Sequence, residues 1–111
     1  VHPAGTGERI ARMLVDRLDG LSRERGVRVL LVSQGQDPSG PARELLAHAA
    51  ARGLSTLDLI TAFQRLAADD PGLRERYFFG HMTPAGNRWV AQEIAAALER
   101  HGAPAASGGP P

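Results

Sequence analysis

Apolar and polar positions follow two rhythms along this chain. Over residues 8–25, Ile10, Met13, Leu14, Leu18 and Leu21 recur at the three-to-four spacing of one helix face. Thr6 is placed to cap that helix, and Gly26 to stop it. Within 27–33 the pattern changes to an unbroken run, Val29, Leu30, Leu31 and Val32. A continuous run of this kind predicts a strand covered on both faces, as in a parallel sheet under helices. A polar loop follows, Ser33, Gln34, Gly35, Gln36, Asp37, Pro38, Ser39 and Gly40. Helical spacing returns over 41–52, with Leu45, Leu46, Ala49 and Ala50 inward. Residues 54–60 predict a second, shorter strand, and 61–68 a helix packed through Phe63 and Leu66. Asp69, Asp70, Pro71 and Gly72 end it as turn and cap residues. One helical turn is predicted over 73–76, before Tyr77, Phe78 and Phe79. The last helix, over 84–101, buries Trp89, Val90, Ile94, Ala97 and Leu98.

Helix and strand therefore alternate, which predicts the α/β class. The expected architecture has three layers, a parallel sheet flanked by helices, joined by right-handed crossovers. Roughly two strands and four helices come from this chain. With 111 residues it holds at most one domain, read as 1–101. Residues 102–111 are Gly, Ala, Pro and Ser, too poor in apolar surface to order themselves, and are expected to form a flexible tail.

Charge removes several functions. Thirteen basic residues face 12 acidic ones, a net charge of +1, which gives no field for nucleic acid or an anionic membrane. All of the basic residues are arginine. With the abundant alanine, this points to a GC-rich genome rather than to phosphate binding. The first helix mixes signs (Arg9, Arg12, Asp16, Arg17, Arg23, Glu24), the pattern of a solvated face. Cysteine is absent, which excludes disulfides and thiolate metal sites and leaves the compartment open. No apolar run reaches the length of a membrane span. His48 has no second histidine at a metal-binding spacing. The 33–40 loop lies at the carboxyl end of a strand, where open α/β sheets bind ligands. Its Gly and Gln either line a pocket or form a plain polar connection. Neither Ser33 nor Ser39 has the surroundings of a nucleophile elbow.

Chemistry concentrates at Phe79, Gly80, His81, Met82, Thr83, Pro84, Ala85, Gly86, Asn87 and Arg88. Gly80 permits a tight turn or close backbone approach, Thr83 is a good N-cap, and Pro84 suits the first helical position. His81 is thus held on a loop at the mouth of a helix, a sensible place for a catalytic histidine. An exposed histidine beside an ordinary cap is the plainer alternative.

The stretch His81, Met82, Thr83, Pro84, Ala85, Gly86, Asn87, Arg88, Trp89, Val90 and Ala91 resembles the C-terminal motif of SGNH (GDSL-type) hydrolases. There a histidine precedes a small polar residue, Pro, any residue and Gly, and then a helix carrying Val-Ala. The resemblance covers about residues 8–101 and extends to the order of elements. It implies a serine ester hydrolase of lipid, acyl or carbohydrate esters, with His81 as its catalytic base and neither metal nor cofactor.

Two features depart from that family. Its Gly-Asp-Ser nucleophile motif and its oxyanion-hole glycine and asparagine do not occur in these residues. The chain also opens at Val1 rather than Met. The expectation is therefore the C-terminal half of an SGNH-like domain, completed by an N-terminal half that carries the serine. Further, the family's acid stands three residues before the histidine, and Phe78 occupies that position. A Ser-His dyad aided by a backbone carbonyl remains open, as does a non-catalytic scaffold that has lost the triad. Asp58, at the end of its strand, is the possible acid partner; the alternative is a carboxylate that anchors a loop or caps a helix.

Overall fold

The computed structural model describes residues 5–38 and 40–101. The expected tail at 102–111, most of the lead-in before the first helix and Ser39 lie outside them. The protein is mixed α/β and mostly helical, with a two-stranded parallel sheet. Its described residues divide into two compact units, one within 1–33 and 37–58, the other within 34–36 and 59–111.

The first unit contains α1 (Thr6–Arg25), β1 (Leu30–Ser33), α2 (Pro41–Ala51) and β2 (Ser55–Asp58). The strands pair in parallel, from Leu30 opposite Ser55 to Ser33 opposite Asp58. Parallel neighbours need a crossover, and α2 supplies it, packing on both strands and on α1. Gly26 ends α1 with φ 65°, a left-handed conformation that costs an L side chain but not glycine. The strands are shorter than expected. Val27 is exposed and lies outside β1, while Leu59 and Ile60 begin the next helix.

The core of this unit differs from the expected one. Val15, Ala49 and Leu54 are buried, with Val29, Leu31 and Leu45 against them. On α1 the predicted inner residues Ile10, Met13, Leu14 and Leu18 are exposed, while Val15 and Asp19 are buried. The reason is close approach: α1 meets α2 along the arc carrying Val15, where the fully buried Ala49 leaves room. Asp19 tolerates burial because Arg23 Nε donates to its carboxylate at 3.1 Å. Strand β1 is half-buried throughout, not covered on both faces. It pairs with β2 and packs against α2. Polar contacts tie the helices together: ion pairs of Arg12 with Glu44 and of Arg52 with Asp16, and a hydrogen bond between His48 and Asp16.

The second unit contains α3 (Leu59–Asp69), α4 (Leu73–Tyr77), β3 (Phe78–Phe79), β4 (His81–Met82) and α5 (Pro84–Arg100). Its core is aromatic. Phe63 is fully buried, with Phe78 edge-on at 5.0 Å, Trp89 at 6.2 Å and Tyr77 at 6.3 Å between ring centroids. Leu73, Val90 and Ala97 are also buried. Trp89 is therefore a packing residue. Leu66 and Leu98, expected inside, are exposed.

Candidate functional site

The segment around His81 is a minimal hairpin. Strand β3 pairs antiparallel with β4, Phe78 opposite Met82 and Phe79 opposite His81. Gly80 alone makes the turn, with φ 74°. The backbone N–H of Thr83 closes the hairpin by donating to the carbonyl of Tyr77 at 2.9 Å.

Helix α5 starts as its sequence requires. Thr83 Oγ1 accepts from the N–H of Gly86 at 3.1 Å, satisfying one otherwise unpaired donor of the first turn. The same hydroxyl donates to the carbonyl of Arg76. Pro84 occupies the first helical position. Gly86 has a steric role, since a Cβ there would lie 2.4 Å from the Tyr77 carbonyl oxygen and 3.1 Å from Met82 Cε. Its lack of a side chain lets α5 sit against the end of α4.

Packing and capping thus account for Thr83, Pro84 and Gly86. They do not account for His81, which is exposed and, among the described residues, has no hydrogen-bond or ion-pair partner for its ring. Phe79 stands opposite it and is 84% exposed, unusual for so large an apolar side chain. Directly opposed residues of an antiparallel pair project to the same face with Cβ atoms about 5 Å apart. The register thus sets an exposed phenylalanine opposite an exposed histidine. Such a pair suits proton transfer beside an apolar group. Phe78, at the position where an acid is expected, packs on Phe63.

Asp58 belongs to the first unit, at the carboxyl end of β2. Its Oδ1 accepts from Ser33 Oγ at 3.1 Å, across the final pair of the parallel register. This bond ties the two strand ends together. It also occupies the Ser33 hydroxyl. His48 is engaged in structure, its Nε2 2.7 Å from Asp16 Oδ1. The hydrogen bond from His48, followed by Arg52, holds the Asp16 carboxyl below its ordinary range. Among the described residues no group of three or more His, Cys, Asp or Glu is placed to hold a metal ion. Among the same residues no helix is long and apolar enough to cross a membrane.

A further polar cluster lies in the second unit. Arg74 donates through Nη2 to Gln64 Oε1 at 2.9 Å and through Nη1 to Gln36 Oε1 at 3.3 Å, and its guanidinium lies 5.3 Å from the Phe63 ring centroid. Gln64 Nε2 in turn donates to the Gln36 carbonyl. The polar loop signals Gln36, but no sequence spacing links it to residues 28 and 38 positions away. Compared with known proteins, the chain matches no family model, no curated protein and no solved structure.

Proposed function

We propose that this chain is the C-terminal segment of an SGNH-type serine ester hydrolase and that His81 is its general base. The observation that carries the reading is the residue left over at the hairpin. Capping explains Thr83 and Pro84, close approach explains Gly86, and no structural role explains the exposed His81. In this reading an upstream half supplies the serine, the oxyanion donors and the remaining layers of a three-layer sheet. The serine attacks the ester carbonyl while His81 takes its proton and later returns it to the leaving alcohol. Phe79, beside the histidine, contacts the apolar part of the ester. With Phe78 at the acid position, the enzyme works as a Ser-His dyad. Asp58 is the alternative acid, although its tie to Ser33 favours anchoring.

A second reading is a non-catalytic α/β scaffold. It draws on Phe78, whose packing against Phe63 shows that this position serves the core. The test is turnover of a short-chain p-nitrophenyl ester by the protein carrying its upstream half. The hydrolase reading expects turnover blocked by a serine-directed phosphonate, with none from residues 1–111 alone. Absence of turnover from the longer protein would overturn it in favour of the scaffold.

A further inference from the structure

Arg74 is set apart by what holds it: two amide oxygens and an aromatic ring. Arginines in ion pairs have their charge neutralised: Arg76, two residues along on α4, pairs with Asp70, and Arg52 pairs with Asp16. Among the described residues Arg74 has no carboxylate partner. It is held by two neutral amide oxygens and by the ring of Phe63. Amide oxygens orient a guanidinium without cancelling its charge. Two of its five N–H donors are used, which leaves three for a ligand.

The support behind Arg74 is fixed. Phe63 is fully buried, so the ring beneath the guanidinium is locked in the aromatic core. Gln64 is held by its bond to the Gln36 carbonyl, which also pins the 34–36 segment. A guanidinium oriented on three sides gives up little rotamer freedom when it binds. Its planar fork matches two oxygens of one anionic group.

We infer that Arg74, oriented by Gln36, Gln64 and Phe63, is a binding site for an oxyanion, the carboxylate or phosphoryl group of a small ligand. The inference is independent of the ester-hydrolase reading and would survive its failure. A single oriented guanidinium binds weakly, with half-saturation expected at about 10 mM at low ionic strength.

The test uses the ¹⁵N-labelled chain and the Nε–Hε resonances of its arginines. Sodium acetate and inorganic phosphate are titrated separately, with ionic strength held constant by chloride. The expected result is a saturable shift at Arg74 and none at Arg76 or Arg12. Tighter binding of acetate identifies a carboxylate ligand, and tighter binding of phosphate a phosphoryl one. Arg74→Lys, which keeps charge but loses the fork, should weaken binding about tenfold. Gln64→Leu, which removes orientation and leaves Arg74 in place, should weaken it several-fold. Backbone spectra of both variants check that α5 remains folded. Linear, unsaturable shifts shared by all arginines would overturn the inference and leave Arg74 as a clip on the 34–36 segment. Unchanged binding by Arg74→Lys would overturn it equally.

Discussion

Two glycines in helices should respond to the same substitution with opposite signs. Gly20 lies within α1 and Gly86 in the first turn of α5. A methyl group at Gly20 meets nothing within 4 Å, whereas at Gly86 it meets the Tyr77 carbonyl oxygen at 2.4 Å and carbon at 3.2 Å. Alanine in a helix is favoured over glycine by about 0.8–1 kcal/mol, so Gly20→Ala should stabilise by up to that amount. In Gly86→Ala the same gain is opposed by two costs. Relieving the overlap requires a backbone shift, and overpacking of this kind costs about 1–3 kcal/mol. The clashing oxygen also accepts the Thr83 N–H at 2.9 Å, so moving it away weakens a bond worth about 1 kcal/mol. The net expectation for Gly86→Ala is a loss of about 1–3 kcal/mol, or about 4–8 °C in melting temperature per kcal/mol for a domain of this size. Thermal melts and urea titrations followed by far-UV circular dichroism measure both variants. Stability of Gly86→Ala equal to or above that of the parent would refute the close contact between α4 and α5 on which the hairpin geometry rests.

Two further outcomes follow from the first unit. The Asp16 carboxyl is held below its unfolded value near 3.8 by His48 and Arg52, so its stabilising effect is present above that value and is lost as pH falls through the lower folded value. Asp16→Asn should therefore lower the melting temperature at pH 7 and narrow the gap to the parent at pH 2–3; a gap that stays constant between these conditions would contradict the assignment. The exposed stripe of Ile10, Met13, Leu14 and Leu18 should drive association at micromolar concentration. Leu14→Glu should reduce light scattering while changing the melt little, and a large loss of stability would show that Leu14 is buried after all.

The sequence made the second unit's start signals readable because they are local. Thr83 and Pro84 fix the beginning of α5 through bonds within one turn, and the Pro71-Gly72 break leads into α4. Strand β1 was also visible, since an apolar run of that length has few alternatives. The buried face of α1 was not. Its apolar residues span more than one arc, and the partner's shape decides which arc docks: small Ala49 admits Val15 and leaves the larger residues outside. The two-residue strands β3 and β4 are too short to show alternation, so nothing in the sequence separates this hairpin from a loop. In the candidate site His81 was marked by its position before the cap. The pairing with Phe79 needed the register. The meeting of Gln36, Gln64 and Arg74 is purely tertiary, as is the bond between Asp58 and Ser33.

The measurement closest to the proposed hydrolase function is ester turnover by His81→Ala in the upstream-extended protein that this proposal requires, with circular dichroism as the check on folding. His81 is exposed and its ring has no partner among the described residues, so its removal should shift stability within about 0.5 kcal/mol. Loss of a general base from a serine hydrolase lowers turnover by several powers of ten. His48→Ala is the control: it breaks the bond to Asp16 in the first unit and should leave turnover largely unchanged. The account predicts a folded His81→Ala protein with almost no activity. A His81→Ala protein that keeps parental turnover would contradict it.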